Sequence, residues 1–432
     1  MRDAAVARPA AGPGAAADSA RTRRLLFVLP IVPWPIRRNG ISLRFAPVIE
    51  YLAQRYQLDL LVLADEDEPL PPGGVLEPCH ALAFIKVPLR PLPRSLRRMS
   101  AGWRAVWPWG SPMDTARYVA ARLERGRFER AVLGHLQEND YSVVVWATAY
   151  YLDVASRIRR RYSRVRFVVD VVDSPTLLCF RNASTDLLSR MITRNEARKW
   201  RRLERRISEA FDATIYVSSV DAQAVRRGPA ARIHVVPNGI FHQDAVPLVS
   251  PAPATRTVGF LGNMAYPPNI SAAVRLAQRI FPRILATLSD ATLLIIGRDP
   301  APEVRGLAAP RISVTGTVDN IWPYIARANV FVFPMVEGAG LQNKILEAMH
   351  AGVPVVTTAI AADGLGASNG EQLLIADTDA EIAAQALRLL CDARFSAALA
   401  ERARAFVARE FSWPAILPRY EAIVAATAGS IN

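Results

Sequence analysis

The segment 330–358 constrains the fold of this chain more than any other. It opens with a short apolar run, Val330–Phe333, and passes through a loop that contains glycines. A helical pattern follows over 341–351, and a second apolar run occupies 353–357. Two apolar runs on either side of a helical pattern indicate a βαβ unit, and such units build parallel sheets. The segment therefore predicts the α/β class.

The loop and helix of this unit have the features of an anion site. Gly338 and Gly340 let the backbone approach a ligand just before the helix begins. The first helical amides lack internal partners and lie at the positive end of the helix dipole, which favours phosphate. On the same helical face, Lys344 supplies a point charge and Glu347 can accept hydrogen bonds from sugar hydroxyls. Phosphate beside ribose indicates a nucleotide; the alternative is an ordinary βαβ unit with a surface Lys and Glu.

The run at 337–356, EGAGLQNKILEAMHAGVPVV, resembles the signature helix of the family 4 retaining glycosyltransferases. Its GLQNKILEAM part is especially similar to the sugar transferases of bacterial exopolysaccharide systems. The resemblance implies the GT-B fold, an α/β architecture of two Rossmann-like, doubly wound parallel-sheet domains that face a central cleft. It also implies that Glu347 holds the ribose of a nucleotide sugar. Most members have a further Glu that contacts the donor sugar, whereas this chain has Ala339 there and Glu337 as the nearest acid.

The resemblance and the strand–loop pattern together predict the remaining site residues. Loops of the second half would bind the donor, and loops of the first half would line the acceptor side or the cleft. The predicted donor-binding residues are Gly262, Asn263, Gly316, Val318, Gly338, Ala339, Gly340, Leu341, Gln342, Lys344 and Glu347. The predicted acceptor or cleft residues are Gly40, Arg44, Asn238 and Gly239. The candidate catalytic residues are Glu337, Lys344 and Asp173.

Two acidic residues lie near the end of a predicted strand, Arg166–Val172, in the first half. Ligands of open parallel sheets bind beyond the carboxyl ends of the strands, so Asp170 and Asp173 are expected near the cleft. Many members of the resembling family have a His–Asp pair here, but this chain has Val172 before Asp173, and no histidine base is predicted. Arg44, in the first helix, is expected either to serve a phosphate or to be solvated.

Composition and periodicity predict the division into domains. Residues 1–22 are rich in Ala, Pro and Arg without periodicity, which predicts a disordered tail. An N-terminal Rossmann-like acceptor domain is expected over 23–245 and a Rossmann-like nucleotide-sugar domain over 246–412, since a linker rich in Pro and Ala occupies 244–256. A C-terminal helix at 413–432 is expected to cross back to the first domain.

The chain carries 53 Lys and Arg against 39 Asp and Glu, a net charge of +14. This surplus suits an acidic partner: a nucleoside diphosphate, an anionic membrane or nucleic acid. No nucleic-acid-binding module is recognisable, so we expect no nucleic acid. Arginines and tryptophans are interleaved over 90–110, which is typical of an interfacial segment that touches a membrane. The alternative is that these arginines stack on aromatic rings inside a domain.

Metal and disulfide chemistry are not predicted. Asp65 and Asp67 form a D-x-D pair like that of metal-dependent glycosyltransferases of the other large fold, but the signature helix belongs to the fold that needs no metal. Cys79, Cys179 and Cys391 lie far apart without metal-ligand spacing, which makes a disulfide framework implausible. We expect no cofactor and a location in the reducing cytoplasm, in part on the inner face of the plasma membrane.

These features predict a metal-independent glycosyltransferase of bacterial polysaccharide or glycoconjugate biosynthesis. It would move a sugar from a nucleoside-diphosphate sugar to a hydroxyl of a glycan or lipid-linked acceptor, and the resemblance implies retention of the anomeric configuration. Two alternatives remain. One is a sugar-nucleotide epimerase of the same fold. The other is a non-catalytic nucleotide-sugar-binding protein, which Ala339 and the loop at Asn263 favour.

Overall fold

The computed structural model describes residues 6–7, 23–34, 40–65, 79–87, 121–181, 187–225, 232–240, 256–337 and 341–429. The chain divides into two compact units. The first comprises Met1–Val236 and Leu417–Asn432, and the second comprises Pro237–Ile416. Among the described residues, no helix combines the length and the apolar character needed to cross a membrane.

The first unit is built on a largely parallel sheet. Its elements are β1 Val6–Ala7, β2 Arg24–Leu29, α1 Gly40–Ala53, β3 Gln57–Asp65, β4 Ala81–Val87, α2 Ala121–Glu138, β5 Val143–Ala147, α3 Leu152–Arg161, β6 Arg166–Val172, α4 Pro175–Arg181, α5 Leu187–Ala210, β7 Ala213–Tyr216, α6 Ser219–Val225 and β8 Ile233–Val235. The strand order is β1-β4-β3-β2-β5-β6-β7-β8. The direction of winding reverses between β2 and β5, as in a doubly wound Rossmann sheet.

The short strand β1 lies within the segment that we expected to be disordered. It pairs antiparallel with β4, with Val6 opposite Ala83 and Ala7 opposite Leu82. The prediction of a disordered tail over 1–22 is therefore wrong at these two residues. The physical reason is that β4 would otherwise present a row of unpaired backbone groups at the edge of the sheet.

The second unit repeats the architecture. Its elements are β9 Thr257–Leu261, α7 Pro267–Arg275, a π-helical turn Leu276–Ile280, α8 Phe281–Thr287, β10 Thr292–Ile296, α9 Pro302–Arg305, β11 Ile312–Val314, α10 Trp322–Ile325, β12 Val330–Phe333, α11 Asn343–His350, β13 Val355–Thr357, α12 Ala359–Ala362, β14 Leu374–Ile375, α13 Asp379–Cys391 and α14 Ala393–Glu410. The last helix, α15 Trp413–Gly429, begins in the second unit and belongs to the first unit from Leu417 onward. The strand order is β11-β10-β9-β12-β13-β14, with every pair parallel. The prediction of two Rossmann-like parallel sheets is confirmed.

The central strands are buried along their whole length. β5 and β12 expose none of their residues, because strands in doubly wound sheets are covered on both faces. Their sequences are accordingly almost continuous apolar runs, VVVWA and VFVF. This burial leaves the loops at the carboxyl ends of the strands as the accessible part of each sheet, where a site can form.

Candidate functional site

The winding of the second sheet reverses between β9 and β12, which are hydrogen-bonded neighbours. The loop 262–266 leads from β9 into α7, and the loop 334–342 leads from β12 into α11. Loops diverge at such a reversal and leave a crevice outside the carboxyl ends of the strands, where open α/β sheets bind ligands. The segment that constrained the fold from sequence therefore forms one side of this crevice.

Lys344 joins the two sides of the crevice. Its Nζ donates to Oδ1 of Asn269 in α7 and to Sδ of Met335, at 3.4 Å, in the loop after β12. Asn269 is itself fixed, since its Nδ2 donates to the carbonyl oxygen of Asn263 at 2.9 Å. Both acceptors of the Lys344 ammonium are uncharged groups. The cation is thus held in place by partners that do not neutralise it.

Burial lowers the pKa of Lys344 to about 7, and the nearby charge of Glu347 opposes this effect. A buried ammonium loses solvation, so its neutral form is favoured unless an anion approaches. A phosphate in the crevice would supply that anion. The environment of Lys344 therefore favours the binding of a negatively charged ligand. Glu347 lies nearly one turn further along α11.

The loop after β9 is shaped by its own contacts. A Cβ on Gly262 would lie 2.8 Å from Nδ2 of Asn269, so only glycine allows the close packing seen here. Oδ1 of Asn263 accepts a hydrogen bond from the Ala265 amide at 3.1 Å, as in an Asx turn. Both residues build the loop. Their contact with a donor stays a prediction.

The other predicted donor residues lie around the same edge or outside the described residues. Gly316 follows β11 with a positive φ of 70°, and Val318 is half-buried two residues later. Leu341 is buried, whereas Gln342, Glu347 and the candidate catalytic Glu337 are half-buried. Gly338, Ala339 and Gly340 lie outside the described residues.

Sequence reasoning missed two residues that organise the crevice, Asn269 and Arg275. Arg275, at the end of α7, donates to the carbonyl oxygens of Pro334 at 3.0 Å and Asp377 at 2.6 Å, and to Oδ1 of Asp379 at 2.7 Å. It therefore fixes the start of the loop after β12. No sequence signal identified either residue, because the partners that bring them to the loop after β12 and to α11 lie 59 or more positions away along the chain.

Arg44 corrects one expectation about the first unit. Its side chain is 1% exposed, its Nε donates to Oδ2 of Asp170 at 2.9 Å, and its Nη1 donates to the carbonyl oxygen of Val236 at 3.0 Å. The prediction that Arg44 serves a phosphate or is solvated is wrong for this structure. Asp170 is also fully buried, and burial raises its pKa although Arg44 opposes the shift. The reason is that a charge in the core needs a charged partner.

Strained backbone marks the carboxyl ends of two neighbouring strands of the first sheet. Thr148, after β5, has φ 74°, and Val172, at the end of β6, has φ 73°. Left-handed φ angles are unfavourable for β-branched residues and cluster at functional sites. The candidate catalytic Asp173 follows Val172 directly and is half-buried. The structure thus places Asp173 at the carboxyl edge of the sheet, next to strained backbone, and its catalytic role stays a prediction.

A buried carboxylate, Glu204 of α5, holds this turn. It accepts hydrogen bonds from the Thr176 amide at 3.1 Å, from the Thr176 hydroxyl, from the Ser174 hydroxyl at 3.3 Å and from the Tyr216 hydroxyl at 3.4 Å. Asp221 accepts from the Ser174 amide at 2.9 Å. Burial raises the pKa of Glu204 to about 7, although these donors favour the carboxylate.

The remaining predicted acceptor residues have separate explanations. Gly40 is the first residue of α1, and a Cβ there would meet no described atom within 4 Å. Asn238 is buried. Gly239 packs beneath Trp413, because a Cβ would lie 2.4 Å from the indole ring. The glycine is therefore required by the indole ring of Trp413, and a role for it in ligand approach stays a prediction.

The predicted D-x-D pair falls largely outside the described part of the chain. Asp65 ends β3, its side chain is not described, and Asp67 lies outside the described residues. Among the residues that are described, no group of three or more His, Cys, Asp or Glu side chains could hold a metal ion.

Comparison with known protein families identifies the chain. The family described as "Glycosyl transferase 4-like domain" matches residues 39–239, and "Glycosyl transferases group 1" matches residues 255–392. Together the two matches cover most of the chain, and the second includes both loops of the crevice. The chain belongs to these glycosyltransferases. The resemblance found in the signature helix is confirmed.

Solved structures agree on the fold of this glycosyltransferase. Sucrose-phosphate synthase from Thermosynechococcus elongatus is similar with a TM-score of 0.68 and 17% identity, over 94% of this chain and 100% of that one. HepE from Anabaena, in complex with UDP and glucose, is similar with a TM-score of 0.61 and 16% identity, again over 94% and 100% of the two chains. At these identities the likeness shows the fold, which is GT-B as predicted.

One curated relative of this chain is described by the genomic region in which it lies. An uncharacterized 44.6 kDa protein in the cps region of Klebsiella pneumoniae is 26% identical to the glycosyltransferase over 183 residues. The match covers 40% of this chain and 46% of the relative, so it spans about half the length of that protein.

Proposed function

We propose that this glycosyltransferase transfers a sugar from a nucleoside-diphosphate sugar to a hydroxyl of a glycan or lipid-linked acceptor. The observation that carries the proposal is Lys344, whose ammonium is held by uncharged acceptors at the crevice between β9 and β12. A diphosphate there would restore the charge that burial disfavours. The complex of HepE with UDP and glucose supports UDP-sugars as the first donors to test.

The crevice suits leaving-group chemistry. Transfer breaks the bond between the anomeric carbon and a phosphate oxygen, and the electron pair stays on the departing diphosphate. In this proposal Lys344 and the positive end of the α11 dipole stabilise that charge. The acceptor oxygen forms the new bond, and its proton passes to the diphosphate or to a carboxylate, for which Asp173 and Glu337 are candidates. Glu347 would hold the ribose hydroxyls.

The resemblance to family 4 supports two further features of the reaction. The first is retention of configuration at the anomeric carbon. The second is independence from metal, with the cationic side chain of Lys344 in the role that a metal takes elsewhere. We assign no nucleophile, so a covalent glycosyl intermediate is not part of the proposal.

The proposed setting is bacterial polysaccharide or glycoconjugate biosynthesis. The relative in the cps region of Klebsiella pneumoniae supports it. We further propose that the protein works in the cytoplasm, at the inner face of the plasma membrane, where lipid-linked acceptors are presented. The net charge of +14 suits an anionic membrane.

One rival function has a specific observation in its favour. The side-chain oxygen of Asn263 is occupied within its own loop, and Ala339 replaces the acid that most relatives use on the donor sugar. Both features would suit a protein that binds a nucleotide sugar without turning it over.

A binding panel followed by a turnover assay separates these functions. UDP-, GDP- and ADP-sugars are screened for a rise in melting temperature, and release of nucleoside diphosphate is then measured with and without a membrane extract. Transfer predicts release that increases with the extract. Binding without release in both cases would support the non-catalytic protein, and conversion of the sugar nucleotide without any acceptor would support an epimerase. Absence of binding to every nucleotide sugar would refute the proposal.

A further inference from the structure

The chain directly after β12 is held at two consecutive backbone carbonyls. Nη1 of Arg275 donates to the carbonyl oxygen of Pro334 at 3.0 Å, and Oγ1 of Thr358 donates to that of Met335 at 2.8 Å. The two donors come from the segments after β9 and β13, which are the neighbours of β12 in the sheet. Pro334, Met335 and Thr358 are buried, so the loss of a donor would cost a buried carbonyl its hydrogen bond. We refer to Pro334 and Met335 as the β12 turn.

The two donors are also connected to each other. Nη2 of Arg275 donates to the carbonyl oxygen of Asp377 at 2.6 Å, and Oδ1 of Asp377 accepts from the Ala359 amide at 2.9 Å. Ala359 follows Thr358 in the chain, so the hydrogen bonds form a closed ring through the β12 turn. Nε of Arg275 donates in addition to Oδ1 of Asp379, at 2.7 Å, at the start of α13. Displacing the turn would therefore disturb several bonds of one network at once.

The β12 turn carries one of the two acceptors of the Lys344 ammonium. Sδ of Met335 lies 3.4 Å from Nζ of Lys344, and the other acceptor is Oδ1 of Asn269 in α7. A thioether is a weak hydrogen-bond acceptor, so it holds an ammonium mainly by filling the space beside it. The place of Met335 therefore determines how closely the ammonium is enclosed. Movement of the turn would let water reach Nζ and let the side chain leave its present position.

We propose that Arg275 and Thr358 are positioning residues for donor binding, because they hold Met335 against Lys344 and so keep its ammonium at the crevice between β9 and β12. Neither residue touches the donor in this proposal, and both act through a backbone carbonyl of the β12 turn. The inference rests on the proposed function for its ligand, since it takes a nucleoside diphosphate as the anion that Lys344 binds.

Two pairs of variants test the proposal. Thr358→Val nearly keeps the size of the side chain and removes its hydroxyl. Its control is Thr357→Val, because the hydroxyl of Thr357 is equally buried but donates, at 3.2 Å, to the carbonyl oxygen at the end of β12 and not to the turn. Arg275→Gln removes the arginine of the ring. Its control is Arg279→Gln, which makes the same change in charge at an exposed arginine that pairs with the same Asp379, at 2.7 Å.

Two measurements are made on each variant after thermal unfolding has shown that it is folded. Calorimetry at pH 6 gives the affinity for UDP. Nuclear magnetic resonance with carbon-13-labelled lysine gives the pKa of Lys344, since the chain has only two other lysines, Lys86 and Lys199, and Lys344→Met assigns the signal. Burial lowers this pKa to about 7, and the charge of Glu347 opposes the shift. Water admitted by a loosened turn would raise the pKa toward that of a solvated lysine.

Positioning predicts that Thr358→Val and Arg275→Gln bind UDP about tenfold more weakly than wild type, the effect of one hydrogen bond whose partner stays unsatisfied. The pKa of Lys344 should rise in both variants, and the two controls should match wild type in affinity and in this pKa. If Arg275→Gln does not fold, Thr358→Val and its control decide the matter.

A purely structural ring would give a different result. Thr358→Val would then melt at a lower temperature than wild type but keep the wild-type affinity and the wild-type pKa of Lys344, which would overturn the proposal. Controls that lose affinity equally would overturn it too. A wild type that binds neither UDP, GDP nor ADP would refute the proposed function. The pKa of Lys344 would then decide the positioning alone, and an unchanged value in Thr358→Val would overturn it.

Discussion

Replacing Lys344 with methionine should stabilise the second unit at pH 6 while weakening nucleotide binding. Burial lowers the pKa of Lys344 to about 7, against about 10.4 in an unfolded chain. At pH 6 the folded protein therefore keeps an ammonium group where water solvates it poorly. Methionine has a similar length and suits the apolar side of this environment, where Met335 and the ring of Phe260 lie near Nζ.

The expected gain in the free energy of unfolding is the difference between two effects: the relief of the buried charge and the loss of a hydrogen bond. Each unit of pKa is worth about 1.4 kcal/mol, and the partial exposure of Lys344 reduces the cost of its charge to on the order of 2 kcal/mol. The variant leaves Oδ1 of Asn269 without its donor, which gives back about 1 kcal/mol. The net gain at pH 6 is about 1 kcal/mol, or roughly 2–4 °C in melting temperature for a domain of this size.

Whether Lys344→Met is more or less stable than wild type depends on pH. The cost of the charge is fully present below pH 7. It declines as the pH rises toward about 10.4, because the folded protein already holds the neutral amine while the unfolded chain still binds a proton. Near pH 10 the cost of the charge in wild type has almost vanished, whereas the variant still lacks the hydrogen bond to Asn269. Wild type should therefore melt at a higher temperature than the variant at this pH.

Thermal unfolding at pH 6 and pH 10 tests the stability, and calorimetry with UDP at pH 6 tests the binding. Loss of a charge-assisted hydrogen bond to phosphate should weaken affinity about 10- to 100-fold. Arg283→Met removes an exposed cation from the same unit and should change neither quantity. The reasoning is refuted if Lys344→Met melts below wild type at pH 6, or if it binds UDP as tightly.

Further predictions concern other parts of the molecule. Glu347→Ala should lower donor affinity, measured by calorimetry, at least tenfold without unfolding the protein, since hydrogen bonds from ribose hydroxyls to a carboxylate contribute about 1.5–3 kcal/mol each. Unchanged affinity would contradict the assignment of Glu347 to the ribose. Transfer should survive EDTA and the double change Asp65→Ala with Asp67→Ala, and a loss restored only by Mn²⁺ or Mg²⁺ would show a metal requirement. Burial raises the pKa of Glu204 to about 7, so wild type should lose stability between about pH 4.5 and 7, because the unfolded chain releases the proton of this carboxyl while the folded protein still keeps it. In Glu204→Gln, the free energy of unfolding, measured by denaturation at about pH 4.5 and pH 7, should not show this loss.

Elements were predicted well where a local pattern determines them. The βαβ unit around β12 and α11 was visible because buried parallel strands are short apolar runs and the helix has its own period. Lys344 and Glu347 were predicted for the same reason, as their spacing along one helix would bring them near one ligand. The helix itself begins at Asn343 rather than Leu341, since helix ends depend on capping contacts.

Residues whose role depends on distant partners were not predictable. Arg44 had the sequence context of a surface cation, but Asp170, 126 residues away, buries it as an ion pair. Asn269 and Arg275 act through loops that approach them only in the folded sheet. The requirement for Gly239 likewise comes from Trp413, far along the chain. Sequence periodicity reports the face of an element, and it does not report which remote side chain packs on that face.

Hydrogen–deuterium exchange with and without UDP tests the central claim most directly, namely that the nucleotide binds where the second sheet reverses its winding. The account predicts slower exchange in the loop and helix after β9, over 262–269, and in the segment after β12, over 341–350. Protection at both places should be weaker in Lys344→Met at the same UDP concentration. Protection confined to the first unit, at a UDP concentration that raises the melting temperature, would contradict the account.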